Sequence, residues 1–299
     1  MASPSDQRPP VALVTGLEGF TGRYVAEALV RAGYEVRGLE KDEEPGRQVD
    51  LLDREAVRNA VAQLAPQLVV HLAAIAFVAH GDVEAIYRVN VVGTRNLLEA
   101  LSLAPTAPTH VVLASSANIY GNAGGLISED VPAAPQNDYA VSKLAMEYMA
   151  RLWMDRLPIT IARPFNYSGV GQSENFLLPK IVSHFRGQAS RIELGNLDVW
   201  REFNDVRAVA DIYARLACLL PGGVFNICSG QEYSLRSIIG IMETISGHRL
   251  EVVVNPQFVR PNEVKRLRGD PARLAEAIGT RPAIELADTL RWMYEATPA

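Results

Sequence analysis

Cysteine is scarce. Cys218 and Cys228 are the only two in 299 residues. Their spacing fits neither a disulfide framework nor a metal knuckle. They read as buried structural thiols of a reducing compartment, so a cytoplasmic protein is expected. Histidine is thin as well: five residues, scattered, with no H-x-x-x-H pair and no Cys/His cluster. No metal site is expected from such a set. No stretch of 18 apolar residues occurs, so nothing is expected to span a membrane. The start, MASPSDQRPP, has no apolar core and reads as a frayed tail over residues 1–9, not a signal peptide. Runs of Lys or Arg are missing and the net charge is −5, which argues against nucleic acid or an anionic membrane as partner. Internal repeats and low-complexity segments are absent too.

What is present is ordinary globular material, 48% hydrophobic and 21% charged, enough for a large core and two lobes. Short apolar runs alternate with helical patterns. VALVTG is followed by a helix over about Arg23 to Ala32, and YEVRGLEK reads as a second strand. DREAVRNAVAQLA is a helix opened by an Asp53 cap. QLVVHLAA is a third strand, EAIYRVNVVGTRNLLEALSLA one long helix, and THVVLASSA a fourth strand. Another long helix runs through YAVSKLAMEYMARLWMDR, and LPITIARPFN is a fifth strand. These strands are continuous apolar runs rather than alternating ones, as expected of strands covered by helices on both faces. The fold class is therefore α/β: a doubly wound parallel (Rossmann) sheet with a smaller, interleaved α+β substrate-binding lobe.

After Asn166 the regularity breaks. FLLPKIVSHFRG is an apolar helix, and RIELGNLDVWREFNDV looks like two short strands around a Gly-Asn turn. VFNICSG returns as one more strand of the main sheet. The expected division is a dinucleotide-binding domain over 10–163 with a return segment 203–228, and a second lobe over 164–202 and 229–299.

Three glycines, Gly16, Gly19 and Gly22, stand between the first strand and the first helix. A lone three-glycine pattern is weak, but strand before and helix after make it specific. The first permits the turn, the second lets a pyrophosphate approach the backbone, and the third lets helix pack closely on strand. About 18 residues on stands Glu40, placed to bond both ribose hydroxyls and to repel a 2′-phosphate. That favours NAD. Lys41 and Arg37 are the cations that would meet a 2′-phosphate instead, so NADP stays open.

YAVSK sets Tyr139 and Lys143 at i and i+4 on one helix face. Tyrosine ionises near pH 10, and an adjacent ammonium lowers that by favouring the phenolate. LASSANIYG ends the fourth strand with Ser115 and Ser116, where a hydroxyl faces the ligand crevice.

Together TGLEGFTG, SSANIYG, YAVSK and ARPFN resemble the extended short-chain dehydrogenase/reductases. More narrowly, they resemble the branch of nucleotide-sugar epimerases, dehydratases and reductases, over almost the whole chain. The segments RPFNYSGVGQSENFLLPKI, LGNLDVWREFNDV, VFNICSG and VRPNEVKRLRGD look most like the reductases of GDP-linked 4-keto-6-deoxyhexoses, and are also similar to the GDP-mannose 4,6-dehydratases. The resemblance implies that Gly16, Gly19, Phe20 and Gly22 cradle the pyrophosphate of NAD(P)H and that Asp50 and Leu51 flank adenine. It implies that Leu72, Ala73, Ala74 and Pro164 line the dinucleotide, with Asn90 beneath. Ser116, Tyr139 and Lys143 become the catalytic trio, the last two also touching cofactor. Ser116, Asn118, Asn166, Lys180, Arg201, Arg260 and Glu263 would hold a GDP-linked sugar nucleotide. One departure matters: dehydratases of the branch carry an acid just after the strand-end hydroxyl, and here Ala117 and Asn118 stand there. Neither exchanges a proton at pH 7, so dehydration is disfavoured. What remains is hydride transfer alone: reduction of a 4-keto sugar, or the oxidise-and-reduce cycle of a 4-epimerase. A dinucleotide-binding protein without catalysis is the distant third. The helices around Asn90–Leu103 and Tyr139–Met154 are apolar on more than one face and predict a homodimer through four helices.

Overall fold

The computed structural model describes residues 9–41, 44–76, 81–258, 265–280 and 284–297, without the side chains of 40, 41 and 44–48. Apart from Pro9, the tail expected at 1–9 lies outside them. In chain order, β1 (Val11–Thr15) leads into α1 (Phe20–Arg31), β2 (Glu35–Arg37), β3 (Glu40–Lys41), β4 (Glu44–Gln48) and α2 (Arg54–Leu64). β5 (Leu68–His71), α3 (Val83–Tyr87), α4 (Thr94–Leu103), β6 (His110–Ala114), β7 (Gly125–Ile127), α5 (Asp138–Arg151) and β8 (Ile159–Pro164) follow. Then come β9 (Tyr167–Ser168), α6 (Leu177–Arg186), β10 (Arg191–Leu194), β11 (Trp200–Arg201), β12 (Asn204–Asp205), α7 (Val206–Leu219) and β13 (Gly223–Ile227). The chain ends through β14 (Tyr233–Ser234), α8 (Leu235–Ser246), β15 (Glu251–Val254), β16 (Arg266–Gly269), α9 (Ala272–Ile278) and α10 (Leu286–Glu295).

The chain forms two compact units, each assembled from three segments. The first takes residues 1–119, 135–163 and 210–225. The second takes 120–134, 164–209 and 226–299.

The six-stranded sheet has the order β13-β8-β6-β5-β1-β2. Its pairings β1–β2, β1–β5, β5–β6 and β6–β8 are all parallel. From β1 the chain steps outward to β2, then returns to the other side for β5, β6 and β8. The order therefore reverses between β1 and β5, which is where an open α/β sheet forms its ligand crevice. The strands read as apolar runs because they are covered on both faces: all four residues of β5 and all five of β6 are buried. Leu13, Val69, Val111, Leu113 and Ile161 join Val57, Val61, Leu97, Leu98, Leu101 and Met146 from the helices in one core. Asp53 caps α2 by accepting from the Ala56 N–H, as its position in the sequence predicts.

The second unit has its own core, with Phe185, Ile181 and Leu178 of α6, Ile238 and Met242 of α8, and Leu290 of α10. Its four-stranded sheet runs β14-β11-β16-β7.

Three expectations are corrected. The second strand stops at Arg37, and Glu40 sits in a separate short strand, β3, antiparallel to β4. Gly38 and the buried Leu39 interrupt the run, and Leu39 turns inward to the core instead of continuing the ladder. The segment RIELGNLDVWREFNDV is not a hairpin: β10 pairs in parallel with β15, and β11 pairs with β14 and β16. The Gly195–Asn196 stretch only links strands of different sheets. In the long helix before THVVL the expected regular α-helix widens into a π-type turn over Arg88–Gly93, with helical backbone continuing on both sides, for which the site supplies the reason.

Candidate active site

The turn after β1 is built from backbone. Gly16 has φ +71°, a left-handed value, and a Cβ there would lie 3.0 Å from the Ala73 nitrogen. At Gly22, inside α1, a Cβ would lie 2.1 Å from the Gly16 carbonyl oxygen and 2.6 Å from that of Leu17. α1 therefore packs against the turn with no room for any side chain. Gly19, the residue before the helix, has only the Gly16 oxygen near, at 3.1 Å. No side chain caps α1 and its first turn holds no acid. An uncapped helix N-terminus approached by bare backbone suits an anion.

Beside this turn is a cleft of about 260 Å³, lined by Thr15, Gly16, Leu17, Glu18, Gly19, Leu39, Val49, Asp50, Leu51, Ala73 and Val89. Of the residues expected at the dinucleotide, Gly16, Gly19, Asp50, Leu51 and Ala73 thus come together. Phe20 opens α1 with its ring edge-on to Tyr24, and Leu72 and Ala74 flank Ala73 on the half-buried loop after β5. These residues fit a dinucleotide: apolar walls for adenine, Asp50 at the rim, and the glycine turn for the pyrophosphate. Pro164 ends β8 in the second unit. Glu40 and Lys41 have no described side chain. Arg37 is occupied by its neighbour, its Nε donating to the Glu35 carboxylate over 2.7 Å.

α5 begins at an Asn137 cap that accepts from the Ala140 N–H. One turn in, Lys143 is 5% exposed and its Nζ donates to the Ala114 carbonyl, the last of β6, over 2.7 Å. That bond pins the first turns of α5 to the strand end that carries the two serines. The Lys143 nitrogen is 6.0 Å from the Tyr139 ring centre. Burial pulls the Lys143 ammonium down to about 8, against the opposing pull of Glu147.

The two serines divide their work. The Ser115 hydroxyl is buried and donates to Glu147 Oε1 over 2.5 Å. The Ser116 hydroxyl accepts from the Asn118 N–H at 3.1 Å and keeps its own proton to donate. Ser116 is therefore the member of the pair able to bond a substrate carbonyl. Asn118 is exposed and Ala117 half-buried, and neither supplies an acid.

Asn90, expected beneath the dinucleotide, is held by bonds of its own. It is 1% exposed. Its side chain donates to the Ile75 carbonyl and to the Ser142 hydroxyl, and accepts from the Ile75 N–H. Ser142 in turn donates to the Tyr139 carbonyl. Asn90 thus clamps the loop after β5 to the first turn of α5. The π-type turn over Arg88–Gly93 sets this side chain in register for the clamp, a common use of such turns.

His71 and its partners were not singled out from sequence. Thr94 donates to the Asn90 carbonyl, so its oxygen accepts from His71 Nε2, and His71 Nδ1 accepts from Thr15 at 2.6 Å. Thr15 also accepts from the Ala73 N–H. This chain ties the end of β1 to the loop after β5 across the switch point. Burial, helped by the Lys143 charge, drives His71 down to about 3. The signal was available: one polar residue inside LVVHLAA. Because its folded value lies below the unfolded 6.5, the unfolded state takes up the proton first as pH falls. Stability is then lost from about pH 6.5 downward, by up to about 1.4 kcal/mol per pH unit. Burial lowers His110 to about 4, and it adds in the same direction. Urea midpoints at pH 7 and pH 5 should differ less in His71→Gln than in the parent. Equal differences would remove His71 from the acid response.

In the second unit, the exposed Asn166 donates to the Glu202 carbonyl. Lys180 donates to the Glu193 carbonyl and lies 5.1 Å from the Phe258 ring centre. Arg201 donates to its neighbour's carbonyl at Trp200. Beside it, Glu202 is fully buried and accepts from Gly269 and Ser229, which fixes β11 in place. Arg260 and Glu263 lie outside the described residues. Among the described residues no three His, Cys, Asp or Glu side chains gather where a metal could sit, and no helix is long and apolar enough to cross a membrane.

A doubly wound sheet with a glycine turn at its switch point and a Ser–Tyr–Lys set beside it defines a dinucleotide-dependent oxidoreductase of the short-chain type. The chain belongs to the GDP-mannose 4,6 dehydratase family, whose pattern matches residues 13–293. It is 37% identical over 270 residues to the GDP-6-deoxy-D-talose 4-dehydrogenase of Aggregatibacter actinomycetemcomitans, covering 89% of this chain and 90% of that one. It is 36% identical over 291 residues to the GDP-6-deoxy-D-mannose reductase of Pseudomonas aeruginosa, covering 93% and 94%. The structure of RMD from Pseudomonas aeruginosa complexed with NADPH superposes with a TM-score of 0.84 at 33% identity, covering 95% of this chain and 98% of that one.

Proposed function

We propose that this protein reduces the 4-keto group of a GDP-linked 6-deoxyhexose with NAD(P)H, making GDP-6-deoxy-D-mannose (GDP-D-rhamnose) from GDP-4-keto-6-deoxy-D-mannose. One observation carries the reading: Lys143, 6.0 Å from the Tyr139 ring centre, donates to the Ala114 carbonyl at the end of β6, two residues before Ser116, with no carboxylate at 117 or 118. The set can move a hydride and a proton, and it lacks the acid that would expel water. Its likeness to the two GDP-6-deoxyhexose enzymes supports the choice of nucleotide.

A reduced dinucleotide held by the glycine turn and the cleft after β1 would supply the hydride. Ser116 donates a hydrogen bond to the substrate carbonyl oxygen and polarises it. Tyr139 gives its proton to that oxygen as negative charge develops. Lys143 stabilises the phenolate left behind and so makes Tyr139 an adequate acid near neutral pH. Asn166, Lys180, Arg201, Arg260 and Glu263 are assigned to the sugar nucleotide, with the guanidinium groups on the diphosphate. NADH is favoured through Glu40, and the engagement of Arg37 by Glu35 supports this. The NADPH held by RMD points the other way, and a ratio of kcat/KM that favours NADPH would reverse the preference.

A homodimer is also proposed, on residues of the first unit. Val92, Leu103, Val141, Tyr148 and Leu152 are apolar and exposed on the turn before α4, on α4 itself, on α5 and just past its end, Leu152 at 79%. A monomer in sedimentation at micromolar concentration would overturn it.

Mannose and talose differ only at carbon 4, so the same keto sugar yields either product according to the face that receives hydride. The talose enzyme among the relatives makes this the second reading. The deciding experiment follows absorbance at 340 nm with a panel of nucleotide 4-keto sugars, then assigns carbon 4 of the product by NMR. Stoichiometric loss of reduced dinucleotide with the GDP sugar and a mannose-configured product are expected. A talose-configured product would replace the first reading with the second. Interconversion of 4-epimers without net consumption would make it an epimerase.

A further inference from the structure

Glu147 is a buried carboxylate on the same helix as the catalytic pair, and the mechanism above does not use it. It is 0% exposed and stands one helical turn beyond Lys143 on the same face of α5. The Arg163 guanidinium at the end of β8 grips it with two bonds, Nε to Oε1 at 2.9 Å and Nη2 to Oε2 at 2.7 Å. The Ser115 hydroxyl gives a third at 2.5 Å. Two cations thus stand by one buried negative charge, Arg163 bonded to it and Lys143 one helical turn away.

The groups that face Lys143 are few. From α5 come Tyr139 and Glu147, and from β6 the neutral Ala114 carbonyl. From β5 comes His71, which is neutral. From β8 comes Arg163, through its bond to Glu147. Arginine does not release its proton in a protein. Of the two cations, only Lys143 can become neutral if the buried charge falls out of balance. A neutral Lys143 would leave Tyr139 without the charge that makes it acidic.

We infer that Glu147 is a positioning residue of this site, whose buried carboxylate keeps Lys143 in its ammonium form beside Tyr139 while the Arg163–Ser115 grip holds that carboxylate still. The inference rests on the reading of Tyr139 and Lys143 as the catalytic pair. It assigns Ser115, which binds no substrate, to the support of that pair.

The test reads Lys143 directly in the ligand-free full chain, by titrating the side-chain ¹³Cε signals of lysine. The chain has only Lys41, Lys143, Lys180 and Lys265, so loss of one signal in Lys143→Arg assigns it. In Glu147→Gln the Lys143 midpoint should fall by about one pH unit or more, because the group loses its opposing charge. Glu147→Asp, which keeps the charge, should hold the midpoint near the parent value. Glu147→Gln removes the charge that the buried Arg163 grips with two bonds, which is strongly destabilising. The double variant Glu147→Met with Arg163→Met removes the pair together; the Arg163 repulsion goes with it, so a smaller fall in the same direction is expected there. The alkaline limb of the pH profile of kcat/KM should move down with the NMR midpoint. An unchanged midpoint in a folded variant overturns the inference, and so does a fall in activity equal at every pH. Failure of both the single and the double variant to fold overturns it too, by making the role structural. The titration needs no substrate. A parent protein that oxidises NAD(P)H with no nucleotide sugar would sink the proposed function and leave the Lys143 measurement standing.

Discussion

Tyr139→Phe should turn over at least ~100-fold more slowly than the parent, the scale of a lost general acid, while still binding reduced dinucleotide. The substitution removes one oxygen from a residue that is 8% exposed and leaves its ring in place. Lys143 is anchored independently, through the Ala114 carbonyl, so its position does not depend on the tyrosine hydroxyl. Tyr139 is not among the residues lining the cleft beside the glycine turn. Stopped-flow absorbance at 340 nm gives the turnover, and quenching of dinucleotide fluorescence gives the affinity. Parent-level turnover would exclude Tyr139 as the acid. A parallel loss of affinity would make the residue a binding group instead.

The glycine turn should separate two kinds of damage. At Gly22 a methyl group would sit 2.1 Å from a carbonyl oxygen, well inside contact distance and against backbone that cannot rotate away. Gly22→Ala should therefore open the turn, costing about 1–3 kcal/mol of stability or more, and weaken dinucleotide binding ~100-fold. Gly19→Ala adds the same methyl where only one atom is near, at 3.1 Å. It should melt close to the parent temperature and still lose affinity at least ~10-fold, because the methyl occupies the approach that an anion needs. Calorimetry and dinucleotide titration on the two variants check this. Equal melting of both, or parent affinity in Gly19→Ala, would show that the turn does not cradle the pyrophosphate.

Much of this was legible in the chain because covered strands and crossover helices write themselves as composition. VALVT, LVVH, HVVLA and ITIARP could not have been exposed on either face. Gly16 to Gly22 and Tyr139 to Lys143 were legible because each is a local pattern with a fixed spacing. The polar supports were not. His71 needs Thr15 and Thr94, and Glu147 needs Arg163 and Ser115. These partners are joined by the packing of helices on strands, sixteen or more residues apart in sequence, so no short local pattern contains them. Asn90 was noticed, but its bonds to Ile75 and Ser142 depend on a π-type turn inside what reads as unbroken helix. Glu40 misled for a related reason: the apolar Leu39 looked like one more strand residue, yet it turns inward and ends the ladder.

The first unit draws its last piece, residues 210–225, from far along the chain. β13 lies at one border of the six-stranded sheet and is made about sixty residues after its neighbour β8. During synthesis, then, a nascent chain that has emerged only as far as Arg163 carries β8 as an open border, with apolar faces on both sides and unpaired backbone along one edge. Such an edge templates association with other strands. The ribosome must therefore supply some sixty further residues, about three to twelve seconds at ordinary elongation rates, before the sheet can close. A messenger truncated between the codons for Arg163 and Gly223 encodes an aggregating fragment, not a smaller dinucleotide-binding domain.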